Sequence, residues 1–494
     1  MDSETPRHAE NLVAPRLAKL DRLRDIGIDP FPHNFERTHT SAGALSEFEE
    51  GKEDSPVCSV AGRLVRFNRM GKSAFVHIQD GAGRIQLYLQ KNVLGEEQFK
   101  RFLDLFDIGD FLGASGTLFR TRTGEVTVRV ESLHMLSKSL RPLPEKFHGL
   151  SDHETRYRQR YLDLIAGSEV RRTFRMRTVI ISEIRRILDG RGYLEVETPI
   201  LQPLYGGGSA RPFVTHYNVL GRDFYLRIAD ELYLKRLIIG GFDKVYEISK
   251  DFRNEGIDRT HSPELTMLEC YEAYVDYEEI MRLTESIVAQ VATKIYGTPV
   301  VDTEAWRLDF TPPWRRISFS DAIRHQTGLD IDDYPDAAGI AEAAAQFGVI
   351  VDPDLGRGKV LDSLLEKLVN PLVEEPTFIV DYPVETSPLA KRRVDDERYA
   401  ARFEAMAAGI KFANAFSELN DPLDQRKRFE EQAQARAAGD EEAQVLDEDF
   451  LLAMEHGMPP TGGLGIGIDR LTMLLTGHRN IREVILFPQL RTKN

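Results

Sequence analysis

The sequence predicts an α+β protein in which a small N-terminal β-barrel precedes a larger domain built on an antiparallel sheet flanked by helices. Three observations carry this. From about Val57 to Ser137 short runs alternate between apolar and polar residues, as in Ile85, Leu87 and Leu89 or Val126, Val128 and Val130, and the turns DGAGR and TRTGE break them. LRPLPEKFHG, Leu140 to Gly149, carries two prolines and a terminal glycine and reads as a linker. Beyond it strands and helices mix without βαβ regularity, which favours an antiparallel α+β sheet over a doubly wound one.

The elements follow in order. Residues 1–50 form a helical extension, because Leu17, Leu20 and Leu23 recur at helical spacing until Gly27 and Pro30 stop the helix. Its flanking Arg16, Lys19, Arg22 and Arg24 suit either nucleic-acid phosphates or plain solvent. Residues 51–139 are the barrel. With Phe75 and Tyr88 able to stack on bases and Arg63, Arg66, Arg69 and Lys72 nearby, it suits an oligonucleotide-binding role, and purely structural aromatics remain the alternative. Residues 140–160 are the linker, and 161–494 the larger domain. It opens with a helix from about Ser168 to Asp189 that buries Phe174, Ile180, Ile184, Ile187 and Leu188, and it carries a helical insertion at about 330–370.

Composition narrows the setting. A chain of 494 residues is long enough for two or three domains, and a formal charge of -15 confines any nucleic-acid surface to a local basic patch. Cys58 and Cys270 are the only cysteines and form no CxxC pair, which fits a reducing compartment. The N-terminus is charged from Asp2 onward, and no run approaches the about 20 apolar residues of a membrane span. A cytoplasmic protein with no membrane partner is expected.

Two segments carry most of the chemistry. In KVYEISKDFRNEG, Lys244 to Gly256, an apolar strand runs into Arg253 and Glu255, and a second strand returns at Glu264. A guanidinium on such a rigid edge suits phosphate, and a carboxylate two residues on suits an amine, unless the two simply seal a hairpin end. In GGLGIGIDRLTM, Gly462 to Met473, Gly463, Gly465 and Gly467 fall on one strand face before Asp469 and Arg470 open a helix. Bare glycines there imply close approach by a ligand or by another backbone. Period-two alternation also puts Leu265, Met267, Glu269 and Tyr271 on one face of ELTMLECYEAY, and Asn414, Phe416 and Glu418 on one face of KFANAFSELND. Two strands thus each send a glutamate to an apolar surface, where a cationic ligand would complete the site, or where ordinary ion pairs suffice.

Together with RGYLEVETPIL, these segments resemble, in order, the three signature motifs of class II aminoacyl-tRNA synthetases. The resemblance runs through nearly the whole chain and is strongest to lysyl-tRNA synthetases. It implies a ligase that activates L-lysine with ATP and Mg2+ as lysyl-adenylate and charges lysine tRNA. Position by position, it implies that Glu269, Tyr271 and Glu418 hold the substrate ε-ammonium, with Phe416 beside them. Gly207 and Glu231 would receive the α-amino group, and Arg253 would bridge the lysine carboxylate and the ATP α-phosphate, with Asn414 in support. Glu255 would accept from the adenine amine, and His261 and Arg470 would contact the terminal phosphates. Glu404 would ligate magnesium, while Phe75 and Gln86 would read the anticodon. The long helix leading into RGYLEVETP resembles the family's dimer-forming segment, so a homodimer is expected.

Three positions depart from the pattern. Lys411 stands where the family has a second magnesium-binding glutamate, Leu265 where a phenylalanine stacks on adenine, and Asp230 where a proline precedes Glu231. Lys411 cannot ligate a metal but can itself neutralise phosphate, and for it to join the Asn414 face the strand needs a bulge between them. The expected consequence is weakened ATP binding or altered magnesium dependence. A non-catalytic nucleotide- or tRNA-binding paralogue, and a lysyl-adenylate-forming enzyme with another acceptor, remain as alternatives.

Overall fold

The structure is a computed structural model that describes residues 13–50, 57–143, 152–437, 439 and 443–491. The chain divides into two compact units, Met1–Gly149 and Leu150–Asn494. The division falls inside the expected linker, of which residues 144–151 lie outside the described residues, as do residues 1–12 of the helical extension.

In the first unit five strands, β1 (Val57–Met70), β2 (Ser73–Gln79), β3 (Arg84–Gln90), β4 (Phe111–Arg120) and β5 (Val126–Ser137), pair in the order β1-β2-β3-β5-β4, and β4 returns to β1 to close the barrel. Alternation does the work: Ala74, Val76 and Ile78 of β2 and Ile85, Leu87 and Leu89 of β3 fill the interior. Their odd-even partners Phe75, His77, Gln86 and Tyr88 therefore share the outer face. The helix Val13–Asp25 docks Leu23 against Leu105 and Met135. Its basic residues are partly committed to this unit. Lys19 pairs with Asp107 at 2.6 Å, and Arg16 donates to the carbonyl of Ser139 at 3.0 Å, so the face expected to meet phosphate or solvent is in part an internal clamp.

The second unit holds an eight-stranded sheet made from β6 (Leu194–Glu195), β10 (Lys244–Phe252), β11 (Glu264–Ala273), β14 (Arg315–Ser318), β15 (Thr377–Pro383), β16 (Tyr399–Ala407), β17 (Ile410–Ser417) and β18 (Thr461–Gly467). Two smaller sheets complete it: β7 (Leu201–Gln202), β8 (Val214–Tyr217) and β9 (Arg222–Leu226), and the pair β12 (Val300–Asp302) and β13 (Arg307–Asp309). The large sheet runs β14-β15-β16-β17-β18-β11-β10-β6 and is antiparallel throughout its middle, with a parallel pair at each edge. One face buries Leu268, Cys270, Leu464 and Ile466 beneath the helices Ser168–Asp189, Tyr277–Tyr296 and Ile468–Thr476.

Ile180, Ile184, Ile187 and Leu188 face that core as their spacing requires, whereas Phe174 is only half-buried, with the Arg160 guanidinium 5.4 Å from the centre of its ring. Each fully buried side chain of this size contributes about 1.5–3 kcal/mol. Asp276 caps the helix Tyr277–Tyr296 through the N–H groups of Glu278 and Glu279, and Gly297, in the left-handed region at φ 76°, ends it. The helical segment beyond β14 has its own core, in which Phe319 and Ile323 join Ile340, Val360, Leu361 and Leu364. It therefore begins with the helix Phe319–Thr327, earlier than about residue 330, because that helix packs on Ile379 and Tyr382 of β15 rather than on the main core. No helix among the described residues is long and apolar enough to cross a membrane.

Candidate active site

The face of the sheet opposite the helices borders a cavity of about 780 Å³. Its floor is β18, held between β11 and β17. Gly463 pairs with Tyr271 on one side and Phe416 on the other, and Gly465 with Glu269 and Asn414. A Cβ on Gly463 would run into the Glu418 carboxylate and would lie 2.6 Å from the Tyr271 ring. The close approach implied by the glycine face is thus made first by side chains of the protein itself, which lean across the bare strand.

At the acidic end, Glu269, Tyr271, Phe416, Glu418 and Glu231 all line the cavity. Tyr271 donates its hydroxyl to Glu269 at 2.9 Å. Of the two alternatives for Glu418, a ligand cation or an ordinary ion pair, the structure contains the second: Lys235, fully buried, forms ion pairs with both Glu418 and Glu231, the latter at 2.6 Å. The pairing follows from the helix Glu231–Ile239, which places Glu231 and Lys235 one turn apart. Among the described residues, both oxygens of Glu418 still lack a hydrogen-bond donor of good geometry, and Glu269 has no cation of its own. Burial first, and the neighbouring Asp230, Glu231 and Asp251 next, push the Glu269 carboxyl well above the usual range. Three cavity carboxylates against one ammonium leave room for a further positive group. Gly207, at φ 80°, brings its loop so near the helix that a Cβ there would lie 3.0 Å from the Cβ of Glu231.

The other end is cationic. The guanidinium of Arg253, just past the end of β10, donates to the carbonyl of Ile228 at 3.4 Å, and that of Arg470 donates to the carbonyls of Thr260 and Lys411 at 3.3 and 3.0 Å. Among the described residues neither guanidinium forms an ion pair. Desolvation, then the proximity of Arg253, holds Arg470 below its ordinary value, a strain that an anion placed between them would relieve. Glu255, His261 and Leu265 line the same end, Glu255 and His261 being exposed and His261 held by Asp258 at 2.8 Å.

Glu404 stands opposite Asn414, and the required bulge is present: Ala405 pairs with Ala413 but Met406 with Lys411, leaving Phe412 as the extra residue of β17. The metal assignment for Glu404 is corrected by its surroundings. Its Oε1 accepts from Arg402 at 2.7 Å and from Lys411 at 3.2 Å, so two cations already hold the one buried carboxylate, and this donor set does not fit a divalent ion. Arg402, which the sequence reading missed, also donates to Asn414 at 2.9 Å and stacks over Tyr382 at 4.4 Å. Its position two residues before Glu404 on the same strand face was the available signal.

On the barrel, Phe75 stacks on Tyr88 with centroids 4.5 Å apart, and Phe119 and Arg129 extend the aromatic surface. Gln86 is not free there: its Nε2 donates to Glu125 and its Oε1 accepts from Thr127, each at 2.7 Å.

Residues 152–491 match the family model of tRNA synthetases class II (D, K and N), and residues 58–136 match that of the OB-fold nucleic acid binding domain. The chain is 54% identical over 483 residues to a lysine–tRNA ligase of Roseiflexus castenholzii, covering 98% of this chain and 99% of the relative. It is 52% identical to lysine–tRNA ligases of Chloroflexus aurantiacus over 485 residues and of Moorella thermoacetica over 488, each covering 98% of this chain and 99% of the relative. With a cavity cationic at one end and carboxylate-rich at the other, and with full-length likeness of this degree, the chain belongs to the class II tRNA synthetases, in the lysine–tRNA ligase family.

Proposed function

We propose that this chain activates L-lysine with ATP as lysyl-adenylate and transfers the lysyl group to the 3′ end of lysine tRNA. One observation carries the reading: a single cavity joins two guanidiniums that lack ion-pair partners among the described residues, Arg253 and Arg470, to a buried carboxylate group with an unmet need for positive charge around Glu269 and Glu418. A zwitterion with a cationic tail, laid between an anion site and an acid site, satisfies both ends.

In this proposal the ε-ammonium lies between Glu269, Tyr271 and Glu418 beside Phe416, and the α-ammonium meets Glu231 and the backbone at Gly207. Arg253 holds the lysine carboxylate against the ATP α-phosphate, with Asn414 fixed by Arg402 in support. A carboxylate oxygen attacks the α-phosphorus in line, the bond to the bridging oxygen breaks, and pyrophosphate leaves. The chain contributes positioning and charge neutralisation, and no side-chain nucleophile is required. Arg470 and His261 face the departing phosphates, Glu255 accepts from the adenine amine, and Leu265 gives that ring an apolar contact without a π-face. Magnesium is expected to arrive bound to ATP, and no step is assigned to a metal at Glu404.

The stacked Phe75 and Tyr88 support anticodon binding by the barrel, and a base edge would reach Gln86 by displacing Glu125. A homodimer belongs to the same proposal, supported by the exposed Val179, Leu194, Ile200 and Leu201 along the segment from the long helix to β7. Light scattering that finds a monomer at working concentration removes that part. A cytoplasmic setting is proposed with it. Exchange of pyrophosphate into ATP, run with each of the twenty amino acids, tests the activation step: exchange with lysine alone is expected, and none with any amino acid overturns it. Charging of lysine tRNA then separates this reading from an adenylate-forming enzyme with another acceptor.

A further inference from the structure

Next to Glu269 lie two carboxylates that the proposed reaction does not use. Asp230 precedes the helix Glu231–Ile239, and Asp251 lies near the end of β10. Both are fully buried. Each of the three residues Asp230, Asp251 and Glu269 offers an oxygen, and these lie within 4.8 Å of one another. That is the spread a single ion would span if bound at about 2.3–2.6 Å from each.

What separates this group from an ordinary acidic cluster is the state of its oxygens. Both carboxylate oxygens of Asp230 and Oδ2 of Asp251 have no hydrogen-bond partner, and Asp230 does not cap its helix. The other oxygen of Asp251 is shared with Ser249 and Arg227, each at 3.3 Å. Arg227 is itself drawn to Glu247 at 2.7 Å, and Glu247 is buried too. Asp230, Glu247, Asp251 and Glu269 are four buried carboxylates, and among the described residues Arg227 is the one cation in an ion pair with any of them, leaving Asp230 and Glu269 without a cationic partner. An orphaned buried carboxylate is among the most costly arrangements in a folded chain. Burial, then Asp251 and Glu247, push the Asp230 carboxyl well above the usual range, so the site resists holding its charges alone.

We propose that Asp230, Asp251 and Glu269 bind one divalent cation of the oxygen-preferring class, Mg2+, Ca2+ or Mn2+, beside the cavity at Glu269. Carboxylates alone, with no histidine or thiolate among them, select hard ions over zinc or copper. The site differs from any magnesium that comes with ATP, because two of its three carboxylates, Asp230 and Asp251, do not line the cavity and the site needs no phosphate. The inference does not depend on lysine being the substrate, but Glu269 belongs to both groups, so the ion and an amine bound by Glu269 must influence one another.

The test uses the full-length chain, stripped with EDTA and free of ATP and lysine. It is titrated with Mn2+ and read by electron paramagnetic resonance of the free ion and by calorimetry. One Mn2+ per chain is expected, weakened about tenfold or more by Asp230→Asn and by Asp251→Asn, and retained by Glu404→Gln. Saturating Mn2+ or Ca2+ should raise the unfolding midpoint of the parent and not that of Asp230→Asn. Circular dichroism checks that each variant is folded, and Asp251→Asn carries the test if Asp230→Asn is not. Absence of ATP-independent binding overturns the proposal, since protons then balance the site. Binding left unchanged by both substitutions also overturns it.

Discussion

Lys235 is the sharpest place to perturb this site. Among the described residues its ammonium is the one cation directly paired with Glu231 and Glu418, and all three side chains are buried. Lys235→Met keeps the length of the side chain and removes the charge, leaving two carboxylates uncompensated, which costs about 3–5 kcal/mol. Glu418→Gln alone leaves Lys235 paired with Glu231 and should cost only about 1–3 kcal/mol. In the double variant a single orphaned carboxylate remains, so the two losses should fail to add by about 2 kcal/mol. Both tryptophans, Trp306 and Trp314, lie in the second unit, and their fluorescence in urea reports that unit alone. Acid should moderate the loss. Burial raises the Glu418 carboxyl in the folded state and Lys235 pulls it back, so without Lys235 its folded value rises further above the unfolded 4.5. A raised carboxyl favours the folded state at low pH, and that gain disappears as pH climbs from the unfolded toward the folded value. Losses that add to within about 0.5 kcal/mol would refute a shared counter-ion.

Three further outcomes are expected. Lys411→Glu removes one of two cations from Glu404 and should steepen the magnesium dependence of adenylate formation; an unchanged magnesium titration means that Lys411 does not stand beside the phosphates. Burial first raises the Asp251 carboxyl from 3.8 to about 6, so in EDTA stability should fall as pH rises from about 4 to about 6. Asp251→Asn should flatten that part of the urea-midpoint profile, and a slope that survives the substitution belongs to another group. Phe75→Ala removes the stack on Tyr88 and should weaken tRNA binding by about 1–3 kcal/mol while leaving pyrophosphate exchange intact, as parallel filter-binding and exchange assays would show.

Much of the architecture could be read from local pattern. The period-two runs of β2 and β3, the glycines of β18, and the glutamates of β11 and just past the end of β17 each declare a face without reference to anything distant. What escaped is partnership across the sheet. The bond between Lys235 and Glu418 joins a helix to the end of a strand far along the chain, and no spacing rule reports it, although the pairing of Glu231 with Lys235 one helical turn on was visible. Glu404 illustrates the converse. Its position on the right face was legible, but whether it meets a metal or a cation depended on Arg402 and Lys411 turning toward the same oxygen. Gln86 shares that lesson, because Glu125 and Thr127 claim its amide from a strand that neighbours it only in the closed barrel.

The glycine strand has a consequence for how such a cavity can change its ligand. Because β18 offers only backbone at Gly463 and Gly465, it acts as a blank floor, and the selecting groups stand on the two walls, β11 and β17. A wall residue can be exchanged for one of different charge without disturbing the hydrogen-bond ladder beneath. The scaffold and the choice of amino acid are thereby separable, and the steps that re-tune one leave the other in place.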